Sequence, residues 1–190
     1  SKLAISSVGG TINVLTKSTD LIEGGKIAAS MGNDGYMKTV ASYNTGEMDG
    51  GHALSLLFSR TAGDGYVDGT MFEGYNYFLG YGWKDSSDKH NLQLIITGAP
   101  QTHNQRTSSY YNMAKVSDYQ KYGIRYNYNH GFLNGDEFNQ RKNFYHKPIA
   151  SLNWEYKINE STDLSASVYY SVGRGGGTGD IGRLDGKYAS

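Results

Sequence analysis

The sequence predicts an all-β protein of long antiparallel strands, on three observations. Runs of about ten residues alternate apolar and polar side chains with the period of a strand. The composition is poor in aliphatics yet holds Gly 26, Tyr 17 and Pro 2 in 190 residues, unusual for a soluble core but suited to a transmembrane β-barrel with a polar inner half. No apolar run approaches the roughly 18–20 residues of a membrane helix, so any crossing of a bilayer falls to strands.

The first element is a short strand in Ser6 to Lys17, SSVGGTINVLTK. Gly9 and Gly10 permit a sharp turn and close backbone approach, after which Ile12, Val14 and Thr16 alternate with Asn13, Leu15 and Lys17. Seven longer strands follow, at Gly24 to Gly32, Tyr36 to Glu47, Gly51 to Gly63, Phe72 to Lys84, Lys89 to Ala99, His146 to Ile158 and Thr162 to Val172. In the third, Leu54, Leu56 and Phe58 oppose Ala53, Ser55 and Ser59, with Leu57 breaking the polar side. In the fourth, Tyr75, Tyr77, Leu79, Tyr81 and Trp83 oppose Gly74, Asn76, Gly80 and Gly82, with Phe78 the exception. Such an aromatic face suits the headgroup girdle of a barrel. The fifth, sixth and seventh set Leu92, Leu94 and Ile96, then Ala150, Leu152, Trp154 and Tyr156, then Leu164, Ala166, Val168 and Tyr170 against Asn, Gln, Ser, Thr and Glu.

A soluble sandwich with one wet face produces the same alternation, and connection lengths separate the two. On one side lie Asn33-Asp34-Gly35, Asp64 to Met71 and a long span from Pro100 to Tyr145. On the other lie only Met48-Asp49-Gly50, Asp85 to Asp88 and Asn159 to Ser161. Long loops on one side and tight turns on the other are expected of outer-membrane barrels.

Lys+Arg 18 balance Asp+Glu 18, so no electrostatic case exists for a nucleic-acid partner. With Cys 0, disulfides and thiolate metal sites are excluded. His52, His90, His103, His130 and His146 lack zinc-helix spacing, no Ser-His-acid set stands out, and neither catalysis nor a metal or other cofactor is expected. Gly63-Asp64-Gly65 with Asp68-Gly69 reads as a plain turn rather than a calcium loop. Gly173-Arg174-Gly175-Gly176-Gly177 reads as the start of another outer loop, since no helical pattern follows. The opening SKLAISS has neither the charged head nor the apolar core of a signal peptide, which reads as truncation.

Candidate ligand or plug contacts gather near the long loop. Gln101, His103, Gln105 and Arg106 form a hydrogen-bonding cluster behind Pro100, fit either for a polar solute or for anchoring the loop. Tyr110, Tyr111, Tyr119, Tyr122 and Tyr126, with Tyr128, lie among Asn112, Gln120, Asn127 and Asn129. These side chains stack on flat faces and bond hydroxyls, or equally pack the loop.

The GGTINVLTK segment resembles the closing strand of the plug in TonB-dependent outer-membrane receptors, and GAPQTHNQR resembles a segment at a similar place in those of the Bacteroidetes type. The resemblance implies that residues 1–19 end the plug and link it to the barrel, and that residues 20–190 begin the barrel, with a long extracellular loop over 100–145. It implies about seven strands of a plugged barrel of about 22, located in the cell outer membrane. The implied function is to bind and import a scarce nutrient: a glycan, peptide, siderophore, haem or cobalamin. The implied partners are the TonB complex, outer-membrane lipid, the nutrient and, in some members, a surface lipoprotein. Seven strands leave two open edges that lipid does not tolerate, so the chain is expected to belong to a larger assembly. The alternative is a soluble extracellular all-β module that binds a glycan.

Overall fold

The computed structural model describes residues 17–106 and 114–179, with the backbone of 182–184 and 187–189. Most of the expected plug strand, up to Thr16, and the candidates Tyr110 and Tyr111 lie outside the described residues. The fold is all-β and antiparallel. Strands β1 (Gly24–Met31), β2 (Met37–Asn44), β3 (His52–Gly63), β4 (Phe72–Lys84) and β5 (His90–Gly98) form a meander. β6 (Gln101–Asn104), the helix α1 (Val116–Tyr122) and the hairpin of β7 (His130–Leu133) and β8 (Asp136–Asn139) come next. β9 (Lys142–His146), β10 (Ile149–Asn159), β11 (Thr162–Ser171) and β12 (Arg174–Gly177) rejoin the main sheet, while β13 (Gly182–Leu184) pairs β14 (Lys187–Ala189) apart from it. The main sheet runs β1-β2-β3-β4-β5-β10-β11, and its path does not close. Among the described residues no helix is long and apolar enough to cross a membrane, which says nothing of crossing by strands.

The seven expected strands are present, but three continue past their expected ends. β6 pairs with β4 and β9, and β12 with β9. The offset that pairs Ile149 with Thr97 also pairs Tyr145 with Gln101, and the offset of Ile149 with Ser171 also pairs His146 with Arg174. β5 and β6, β9 and β10, and β11 and β12 are thus single strands interrupted at Ala99-Pro100, Lys147-Pro148 and Val172-Gly173. Pro100 was expected to end its strand because it has no N–H to donate. Its carbonyl still accepts from Tyr75 N at 2.9 Å, so the ladder lapses there and resumes. The long loop accordingly begins after Asn104 and ends before Lys142, shorter than the span from Pro100 to Tyr145.

Register sorts the side chains onto two unlike faces. Tyr43, Leu56, Leu79, Ile96, Ala150 and Tyr170 fall in one cross-strand row, and Leu54, Tyr81, Leu94, Leu152 and Val168 in the next. On the opposite face Ser55, Gly80, Ile95 and Ser151 share a row, as do Gly82, Gln93, Asn153 and Ser167. Burial is inverted relative to a soluble domain. Ala53 is the one buried hydrophobic residue among those described, while Ser18, Thr19, Ser55, Ser59 and Gln93 are buried. Ile27 is 90% exposed, Val168 69% and Phe58 54%.

The polar face is covered where the chain enters. A 3-10 turn, Ser18–Asp20, crosses β4. Ser18 N donates to Gln93 Oε1 at 3.1 Å, Gln93 Nε2 donates to Ser18 Oγ at 3.0 Å, and Lys17 Nζ meets Glu155 Oε2 at 2.7 Å. A Cβ on Gly80 would stand 2.6 Å from Ser18 Oγ, and one on Gly82 2.9 Å from Thr19 Cγ2. Both glycines are there for that approach. The face that carries the incoming chain is called the inner face, and the apolar face the outer one.

Candidate functional site

The loop end of the sheet gathers three connections: residues 33–35, 64–71 and 105–141. Asn134 (φ 55°) and Gly135 (φ 94°) turn the β7–β8 hairpin, matching the left-handed pair that two-residue hairpin loops favour. The long loop then folds down onto the one before it through buried asparagines. Asn127 Nδ2 donates to Asp68 O at 2.9 Å, and Asn139 Nδ2 donates to Gly69 O at 2.9 Å and Gln105 O at 3.3 Å. Asn129 Nδ2 reaches Gln105 O at 3.1 Å. Their own oxygens accept locally, Asn127 Oδ1 from Asn129 N and Asn139 Oδ1 from Arg141 N. Asparagine suits this work because one short side chain both donates and accepts where backbone groups of two loops converge.

Charge and ring contacts complete the assembly. Arg125 Nη1 lies 2.6 Å from Asp34 Oδ1, and its guanidinium sits 4.8 Å from the Tyr66 ring centroid. Asp68 N donates to Arg125 O at 2.8 Å, and Asp64 N to Asp34 O at 2.9 Å. All three connections are therefore tied to one another. Outside this knot, Tyr122 and Tyr126 stack with centroids 4.9 Å apart, and Lys121 Nζ lies 4.8 Å from the Tyr122 centroid. Burial of Tyr126 raises its phenol above the usual value.

The expected cluster is divided. Gln101 and His103 lie on the inner face of β6, opposite Gly74 and Phe72, and help line a hollow of about 420 Å³ with Thr61, Asn76 and Ala99. Gln105 contributes backbone, its N–H donating to Arg141 O at 2.7 Å and its carbonyl taking Asn129 and Asn139. Its side chain and that of Arg106 are exposed. Tyr119 is half-buried on α1, near the Tyr122–Tyr126 stack in sequence. Asn139, Arg125 and Tyr66 were not expected at the site. The Asn134-Gly135 pair between short apolar runs was the one signal that could have found the hairpin carrying Asn139.

The arrangement offers three loops tied to one another, a stacked pair of tyrosines and a hollow of mixed polar and apolar lining at Gln101 and His103. Among the described residues no three His, Cys, Asp or Glu side chains gather to hold a metal ion. No known family, curated protein or solved structure matches the chain.

Proposed function

We propose that the chain is part of a TonB-dependent outer-membrane receptor, comprising the end of its plug and the first strands of its barrel, which binds and imports a scarce nutrient. The observation that carries the reading is the inverted sheet: a continuous apolar outer face beside a polar inner face on which the incoming chain docks. In water such a face needs a second layer, and none packs on it among the described residues; in lipid it needs none. From Tyr75 to Trp83 the strand path is about 26 Å at ~3.3 Å per residue. A tilt of about 40° makes that about 20 Å, near the roughly 25 Å apolar band between the aromatic girdles of such barrels.

The loop end then faces outward, and its tied loops form the nutrient-binding roof. The inner hollow at Gln101 and His103 meets either plug or solute. Import draws energy from the TonB complex through residues preceding the barrel, a surface lipoprotein is a partner for the roof, and no catalytic step is involved. The alternative, a soluble glycan-binding module, is favoured by the Tyr122–Tyr126 stack, in which Tyr122 is exposed, since aromatic ring faces suit sugars.

The deciding experiment raises antibody to residues 114–139 and fractionates the source cells. A membrane-bound band several times larger than 20.9 kDa, whose mobility changes on heating, is the expected result. A soluble band of the chain's own size, binding glycan without detergent, overturns the proposal in favour of the module.

A further inference from the structure

The outward face is unlike at its two ends. Its charged strand residues, Arg60, Glu73, Lys142 and Arg174, all lie at the loop end. Arg60, Tyr75, Pro100, His146 and Arg174 follow one cross-strand row, Glu73 lies in the row beyond, and Lys142, opposite Asn104, in the row after that. At the turn end the outward face carries His52, Trp83, His90, Trp154 and Tyr156, without a lysine or arginine among the described residues. Lysines do occur at that end, but Lys84 and Lys157 take inward positions and Lys89 sits in the turn.

Part of the loop-end charge is already answered. Glu73 Oε1 accepts from Arg60 Nε at 2.8 Å and lies 2.7 Å from Arg60 Nη2. Lys142 and Arg174 are exposed and in no ion pair among the described residues. At about 4.8 Å per strand, Arg60 and Arg174 stand roughly 19 Å apart across the sheet. These cations form a rim level with Tyr75 and above the Phe58–Tyr77 row, each over its own stretch of apolar surface, and no single pocket.

We infer that this rim binds the phosphate groups of lipids in the leaflet on the loop side, and that the leaflet on the turn side makes no such demand. The inference rests on the lipid-facing reading of the sheet and adds the chemistry of the lipid. A guanidinium or ammonium at headgroup level gains from an anionic surface, Arg174 by a two-pronged contact with phosphate oxygens. The apolar rows below position the acyl chains, so charge and apolar surface are matched to two parts of one molecule.

The test uses the full-length protein in detergent, exchanged into mixed micelles holding phosphatidylcholine, phosphatidate or both. Quenching of Trp83 and Trp154 by brominated phosphatidylcholine, taken as the difference between wild type and W83F/W154F, reports lipid contact independently of the rim. Bound lipid is then counted by native mass spectrometry. Wild type is expected to retain phosphatidate over phosphatidylcholine. K142Q/R174Q is expected to lose about fivefold of that preference per charge removed, with K89Q/K157Q as the unchanged control. Quenching without phosphatidate preference, or equal loss in both double variants, overturns the rim and leaves the lipid-facing sheet standing. No quenching in any lipid overturns both.

Discussion

Asn127, Asn129 and Asn139 are buried because they hold the backbones of two loops together, and removing one leaves carbonyls and amides without partners. Asn139→Leu takes the side-chain donor from Gly69 O, one of two donors from Gln105 O, which keeps Asn129, and the Oδ1 acceptor from Arg141 N. The expected cost is about 1–3 kcal/mol for each group left buried and unpaired, read as faster proteolytic nicking within 105–141 while the strands keep their protection. Ser55 is the converse case. Its hydroxyl is buried beside Gly80 without a partner, so Ser55→Ala is expected to be neutral or to stabilise, and a loss above about 1 kcal/mol in denaturant would show a bond to Ser55 that its surroundings do not provide. The entry of the chain is equally testable in a protein with Cys 0. Ser18→Cys with Gly80→Cys places the new sulfur close to the new Cβ, within reach of disulfide geometry. Mild oxidation is expected to cross-link the pair, whereas Ser18→Cys with Ser165→Cys should stay reduced. Little of this was legible in the sequence. An asparagine that binds the carbonyl of another loop has no local signature, and Gly80 and Gly82 read only as small residues on a polar face until Ser18 and Thr19 are placed against them.

At the level of strands the reverse holds. A period of two, with its exceptions at Leu57 and Phe78, sufficed to locate all seven long strands and both faces, because register in an antiparallel sheet follows side-chain alternation. What escaped was the continuation beyond Pro100 and His146, since four-residue segments carry too little alternation to stand out and proline reads as a terminator. The hydrogen bonds that rescue the ladder belong to the neighbouring strand. Opposite faces of β11 make the sharpest test of its surroundings. Val168→Arg is expected to destabilise the protein in bilayers by about 2–4 kcal/mol if it lies near the midplane, while Ser165→Arg on the inner face should change little. Equal and small effects in folding titrations would place both faces in water, where exposed substitutions are nearly neutral.

For the molecule as a whole, the path from β1 to β11 leaves both flanks of the sheet with unpaired backbone groups. An open edge in hydrocarbon is untenable, and an open edge in water invites pairing with other chains. The isolated chain is therefore expected to aggregate or to need detergent, and to show heat-modifiable mobility only within a closed assembly; a monodisperse, detergent-free monomer by light scattering would contradict that. One architectural detail also bears on motion. The lapses at Ala99-Pro100, Lys147-Pro148 and Val172-Gly173 occupy the same level of three adjoining strands, with the Pro 2 of the chain both on that line. A sheet resists bending through its ladder bonds, so a line along which the ladder lapses is a crease. It ends at β4, which is unbroken and stays laddered to β6, so β9 and β12 are the strands free to tilt about it, carrying their end of the long loop while β6 holds the other end still.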